Sequence, residues 1–151
     1  MQNIALNKKA KYDYTIGDKY EAGIVLTGSE VKSLRLNNSS IKEAYISEKN
    51  NELWLFNCHI KKYSSSNIDN YDPLKVRKIL LKKKEKNKII GSIKRNGMTI
   101  VPLSMYFNNR GFAKISIGLA KGKKNYDKRE TIKSREWGIN KQRLQKIKKS
   151  L

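Results

Sequence analysis

Short apolar runs with a period of two set the limits on what this chain can become. Tyr12, Tyr14 and Ile16 alternate with Lys11, Asp13 and Thr15, and Tyr20, Ala22, Ile24 and Leu26 repeat the pattern after Gly17-Asp18. Near the other end Ile115, Ile117 and Leu119 face away from Lys114, Ser116 and Gly118. Side chains on a strand point alternately to its two faces, so each run buries one face and wets the other. The first two runs are placed to pair as a hairpin across Gly17-Asp18. Within the second, Glu21 lies on the opposite face from Tyr20 and Ala22, beside Gly23, in a chain with few acids to spare. Further strands are expected over residues 41–47 and 53–56, closed by an Asn50-Asn51 turn, and over residues 98–107 and 112–119, joined by Asn108-Asn-Arg-Gly111. Trp54 reads as core in preference to a base-stacking platform, because apolar neighbours flank it on both sides.

Two helices interrupt the strands. Thr27-Gly-Ser-Glu30 fits a capping box, in which the Thr27 hydroxyl accepts the Glu30 amide and the Glu30 carboxylate reaches back to the Thr27 amide. A helix over residues 28–35 follows, burying Val31 and Leu34. A second spans residues 84–95, with Ile89, Ile90 and Ile93 on one side and Gly97 at its C-terminal stop. Between them lie a Ser/Asn-rich loop over residues 63–71, the helix-stopping Asp72-Pro73, and a run over residues 75–81 with cations among aliphatics. The fold class is therefore mainly β with short helices. About six antiparallel strands lose their exposed edges by closing into a small barrel of the oligonucleotide-binding kind. An open α+β sandwich is the alternative.

The chain changes character at Ala120-Lys-Gly-Lys-Lys124. Residues 122–151 hold eleven Lys or Arg against three Asp or Glu, a net +8, with little to build a core. Domain organisation is read as a packed unit over residues 1–121 and a basic tail over 122–151, disordered alone and helical when it finds a partner. The whole chain carries 34 Lys or Arg against 13 Asp or Glu, a formal +21, spread along its length. Such a protein repels itself, consistent with a monomer, and attracts polyanions, nucleic acid first among them. No run approaches a membrane span and no signal peptide is visible, so a cytoplasmic protein without a membrane partner is expected. One cysteine, Cys58, and one histidine, His59, supply neither an internal disulfide nor a metal-ligand set, and no cofactor is expected. Gly118-Leu-Ala-Lys-Gly122-Lys123 fails as a nucleotide-binding loop: the glycines are one residue too close, and Lys124 stands where a Ser or Thr would ligate magnesium. A ribonuclease acting through His59 and a carboxylate is disfavoured, because His59 sits in an apolar strand context and no second histidine is available. An enzyme is not expected.

Five segments resemble SmpB, the SsrA-binding protein family of bacteria: Glu21-Ala-Gly-Ile-Val-Leu-Thr-Gly-Ser-Glu-Val-Lys-Ser-Leu-Arg35, Tyr71-Asp-Pro-Leu74, Arg77-Lys-Ile-Leu-Leu81, Pro102-Leu-Ser-Met-Tyr-Phe107 and Gly122-Lys-Lys-Asn-Tyr-Asp-Lys-Arg129. The resemblance implies a barrel-like RNA-binding domain that holds the transfer-RNA-like half of transfer-messenger RNA and brings it to ribosomes stalled on messages without a stop codon, where trans-translation tags the incomplete product for degradation. Tyr14, Glu21, Leu80 and Lys114 match family positions linked to RNA binding, and Gly122, Lys123 and Lys124 match a glycine-lysine-lysine element at the start of the tail. Lys82 departs from an Asn found in some members and can meet phosphate without the amide's paired contacts. The resemblance also implies that Tyr126 stacks in the decoding centre of the small ribosomal subunit, followed by Asp127, Lys128 and Arg129, with Trp137 further along the empty message channel. A structural ribosomal or ribosome-assembly protein is the alternative that composition alone allows.

Overall fold

Most of the alternating residues do become strand, and one irregularity in the longest strand decides which side chains share a face. The computed structural model describes residues 2–64 and 70–122. In chain order the elements are β1 (Gln2–Leu6), α1 (Ala10–Asp13), β2 (Tyr14–Ile24), α2 (Gly28–Arg35), β3 (Ser39–Ser40), β4 (Tyr45–Lys49), β5 (Glu52–Phe56), β6 (His59–Ile60), β7 (Arg77–Leu80), α3 (Lys83–Asn96), β8 (Thr99–Phe107) and β9 (Ala113–Gly122). Seven strands form one antiparallel sheet in the order β1-β8-β9-β2-β7-β5-β4, and β3 pairs with β6 apart from it.

No hairpin forms at Gly17-Asp18. Residues 14–24 are a single strand paired along its length with β9, and between the pairs Ile16↔Ala120 and Lys19↔Gly118 it carries one extra residue, a β-bulge. Residues 11–13 are not strand either, because the chain first makes a helical turn in which the amides of Tyr12 and Asp13 both reach the Lys9 carbonyl, at 3.0 and 2.9 Å. That turn tucks Ala10, 2% exposed, against Val101 and Ala120.

Local signals hold elsewhere. The capping box of α2 is present in both directions, with the Thr27 amide donating to Glu30 Oε1 at 3.0 Å and the Glu30 amide to Thr27 Oγ1 at 3.3 Å. Leu34 is buried as expected, but Val31 is only half-buried, and the positions that sink beside Leu34 are Glu30 and Ser33. Residues 41–44 turn and do not extend, so the expected strand starts at Tyr45; Asn50 and Asn51 then take positive φ of 54° and 61°, the geometry of a tight hairpin. Gly97 ends α3 in the left-handed conformation.

The core lies on one face of the sheet, where Ala22, Leu53, Leu55, Ile79, Met105, Ile115 and Ile117 meet Leu34 of α2 and Ile89 and Ile90 of α3. Strict alternation in β5 sends Leu53 and Leu55 inward and Trp54 outward, so Trp54 is not a core residue: it is half-exposed, and its Nε1 donates to the Lys49 carbonyl at 3.3 Å.

The expected closed barrel does not form among the described residues. The edge strands β1 and β4 do not pair with each other; β4 approaches β8 across a seam lined by Tyr45, Ile46, Thr99 and Val101. The β8 edge facing this seam carries Pro102, whose carbonyl accepts from Asn7 Nδ2 at 2.9 Å and whose nitrogen, on the same edge, has no hydrogen to offer. A strand cannot zip onto that edge without losing a ladder bond. Lys123, Lys124, Tyr126, Asp127, Lys128, Arg129 and Trp137, and with them the tail, lie outside the described residues.

Candidate nucleic-acid interface

The face of the sheet opposite the core is where the residues suspected from the sequence meet. Residues directly opposite in an antiparallel pair share a face. Glu21 pairs with Ser116, Gly23 with both Lys114 and Leu80, and Lys114 in turn with Tyr106, which puts Glu21, Leu80, Lys114 and Tyr106 on the outer side. Tyr14, opposite Gly122, is seven residues from Glu21 and would face the core side in a regular strand. The bulge at Gly17-Asp18 shifts the parity by one, and Tyr14 and Ile16 emerge on the same outer face as Lys19 and Glu21.

At the centre of this face Tyr106 donates its hydroxyl to Glu21 Oε2 at 2.5 Å. Burial, and then the hydrogen bond to the Glu21 carboxylate, push the Tyr106 hydroxyl up to about 12, so it remains a donor throughout the physiological range. One carboxylate oxygen is thereby held, and among the described residues Oε1 is left to accept from outside. Beside it Gly23 keeps the surface low: a methyl group there would lie 3.5 Å from Leu80 Cβ and 3.8 Å from Lys114 Nζ. Leu80 is 50% exposed over this dip, an apolar platform next to one cation and one acid. Across β7 and β5 the face continues through Lys78, Trp54 and a stacked pair, Tyr45 and Phe56, with ring centroids 5.0 Å apart and planes 6° apart. Lys49 Nζ lies 5.1 Å from the Phe56 centroid.

Three suspected residues stand apart from this centre. Lys82 is the exposed residue before α3, off the sheet, and its side chain makes no capping bond. Gly122, with Tyr14 opposite it, closes the far end of β9, eight residues from Lys114, roughly 27 Å along an extended strand. Sequence reasoning missed Tyr106, although Met105-Tyr106-Phe107 carried the signal: both neighbours are buried in the core, which turns the tyrosine to the other face. It missed Trp54 for the same reason.

A buried ion pair holds β7, and Leu80 with it, in place. Arg77 Nε donates to Glu30 Oε2 at 2.6 Å with neither side chain exposed. Arg77 also donates to the carbonyl of Cys58 at 2.6 Å and, at 3.2 Å each, to Tyr71 Oη and the Pro73 carbonyl. Lys75 Nζ reaches Glu30 Oε1 at 3.0 Å. Burial by itself would raise the Glu30 carboxyl, but the Thr27 amide, Lys75 and Arg77 together hold it below the usual carboxylate range. The adjoining Cys58 thiol is pushed up to about 11 by burial, which makes it inert. His59 is exposed on β6, and among the described residues no group of three candidate ligands can hold a metal. None of the described helices is long and apolar enough to cross a membrane.

An antiparallel sheet with a partly aromatic outer face, in a chain of +21, defines a class: a small basic protein built on one sheet and suited by its charge to an anionic polymer. The comparisons make the assignment specific. The SmpB protein family model matches residues 4–147. The SsrA-binding protein of Wolbachia sp. subsp. Drosophila simulans (strain wRi) is 56% identical over 146 residues, covering 97% of this chain and 98% of the relative. That of Anaplasma phagocytophilum (strain HZ) is 53% identical over 146 residues with the same coverage. A chain of the solved structure described as "tmRNA-SmpB: a journey to the center of the bacterial ribosome" aligns with a TM-score of 0.64 and 43% identity, over 80% of this chain and 84% of that one. The chain belongs to the SmpB family.

Proposed function

We propose that this protein binds transfer-messenger RNA through the outer face of its sheet and delivers it to stalled ribosomes for trans-translation, acting in the cytoplasm as a binding protein and not as an enzyme. The observation that carries the reading is the meeting of Glu21, Leu80 and Lys114 on one face, with Tyr14 further along the same face opposite Gly122, where the basic tail begins. The chemistry suits a structured RNA. Lys114 meets phosphate, Leu80 and the aromatics offer platforms for unstacked bases, and Glu21 accepts from base or ribose donors that a lysine cannot read. Lys82, at the mouth of α3, adds a phosphate contact. Lys123 and Lys124 extend the cationic path, and the tail with Tyr126, Asp127, Lys128, Arg129 and Trp137 enters the decoding centre and the empty message channel. A structural ribosomal protein shares only the composition and is favoured by no feature of the outer face.

Full-length variants separate the two jobs. Glu21→Gln and Leu80→Ser are expected to weaken binding to the transfer-RNA-like half of transfer-messenger RNA while changing binding to an unrelated folded RNA little. Tyr126→Ala should bind that RNA normally and fail in tagging on ribosomes, since stacking is worth roughly 1–3 kcal/mol per base. Equal loss on both RNAs for the sheet variants, or loss of isolated-RNA binding for Tyr126→Ala, refutes the division.

A further inference from the structure

We propose a second subsite on the outer face: a groove that receives one unpaired nucleobase of the bound RNA, with the flanking phosphates on Lys8 and Lys19. The inference rests on the RNA-binding reading above and concerns a region beyond Glu21 and Lys114. The groove has a volume of about 480 Å3, and Leu6, Lys8, Ala10, Ile16, Lys19 and Leu103 account for its floor and cationic rim.

The floor rests on a second, smaller apolar cluster on this face, where Ile16 and Leu103 pack against buried Ala10, Val101 and Ala120. Two departures from regular pairing, in the strands on either side of β9, create it. The extra residue in β2 turns Ile16 outward, and a second bulge in β8, between Pro102 and Ser104, adds Leu103. Between them sits Gly118, where a Cβ would lie 2.9 Å from Ile16 Cγ2 and 3.2 Å from Leu103 Cδ1. The two apolar side chains converge over a position that only glycine fills without displacing them. Helix α1 covers one flank through Ala10, while Leu6 stays 57% exposed at the other. Bulges of this kind re-aim side chains and gather at functional sites.

The occupant follows from the chemistry of the walls. The volume lies in the range of small-ligand pockets, and an apolar floor suits the flat face of a base, which every nucleotide presents. Lys8 and Lys19 are exposed cations on the rim. At the end nearest Glu21 the groove is lined by Ser104 and Ser116, which pair with each other, and Ser116 pairs with Glu21, so the groove runs directly into the candidate interface. An RNA strand crossing Glu21 reaches the groove within one strand position.

The test uses the full-length protein and the transfer-RNA-like half of transfer-messenger RNA, made abasic at each unpaired nucleotide in turn. Each RNA is titrated against wild type, Leu103→Ala, Leu6→Ser and the pair Lys8→Ser/Lys19→Ser. Leu6→Ser alters an exposed side chain and keeps the test decisive if Leu103→Ala fails to fold. One abasic position is expected to cost wild type roughly tenfold in affinity and to cost the groove variants little, since they have already lost that contact. The lysine pair should lower the slope of log affinity against log salt by about one and a half. Losses that simply add, at every position and for every variant, overturn the subsite alone. A wild-type protein that does not distinguish this RNA from an unrelated one overturns the RNA reading and the subsite together.

Discussion

Tyr106→Phe isolates the role of one hydroxyl. The substitution removes only the oxygen that donates to Glu21 Oε2 at 2.5 Å and leaves the ring in its buried place beside Met105 and Phe107. Bonds to charged groups are worth about 1.5–3 kcal/mol where both partners are buried. Glu21 is exposed and recovers water when the donor is lost, so the cost to folding is about 1 kcal/mol, or roughly 4 °C in melting temperature. The cost to binding is of another kind. Fixing a free glutamate side chain takes up to about 1.5–2 kcal/mol of rotamer entropy, of which Tyr106 supplies part in the free protein. Losing about 1 kcal/mol of that preorganisation weakens RNA binding roughly fivefold. No phosphate contact is removed, so the salt slope should not change, whereas Lys114→Gln should make it shallower by about 0.7–0.9. Fluorescence anisotropy of the labelled transfer-RNA-like RNA across a series of KCl concentrations measures both quantities. A folded Tyr106→Phe protein that binds as tightly as wild type, or one whose loss comes with a shallower slope, refutes the positioning of Glu21 by Tyr106.

The buried pair yields further tests. Arg77→Met leaves the Glu30 carboxylate in the core with Lys75 as its remaining cation and should cost about 3–5 kcal/mol in urea unfolding, while Arg77→Met/Glu30→Gln should recover part of that loss. Because the Glu30 carboxyl is held below its ordinary value of 4.5, the stability it contributes is complete above that value and disappears as pH falls through the lower folded-state value. Melting temperatures measured down to about pH 3 should fall more steeply for wild type than for Glu30→Gln. The Cys58 thiol, fully buried and pushed up to about 11, should resist a thiol reagent such as dithionitrobenzoate in the folded protein and react fully once guanidinium unfolds it.

Features written in a few adjacent residues were legible in the sequence. Thr27 with Glu30, Asn50 with Asn51, and Gly97 each specify a cap or turn through contacts within one or two turns of chain. The outward position of Glu21 followed from alternation alone. What the sequence concealed depended on where alternation breaks. Gly17-Asp18 suits a hairpin turn as well as a bulge, and only pairing with β9 along the whole of β2 decides between them. Without that bulge Tyr14 and Glu21 cannot be assigned to one face. The Arg77–Glu30 pair joins residues 47 apart, and the cations around Arg77 disguise it; its one signal is that it sits two residues before buried Ile79, on the same side of the strand. Trp54 was misplaced by counting apolar neighbours where the period was the better guide.

The charge of this protein explains affinity and cannot explain selectivity. Contacts between lysine and phosphate are made with any RNA, and a chain of +21 has many to offer. Discrimination on the proposed face therefore falls to residues that are not basic, and these occupy its middle: Glu21 with Tyr106, the low Gly23, and Leu80 beside Lys114. An acid inside a basic surface acts in two directions. An RNA that brings a base or ribose donor to Glu21 Oε1 gains a charge-assisted bond, while one that brings a phosphate there meets like charge across a short distance. Lysine at the same position would welcome both. Tyr106 sharpens the difference, because a carboxylate fixed by its hydroxyl cannot swing away to spare the wrong ligand. The cost of placing an acid in this field is borne by every RNA in proportion to the phosphate it presents at that point, and only a strand whose phosphates pass to either side, toward Lys114 and Lys19, escapes it.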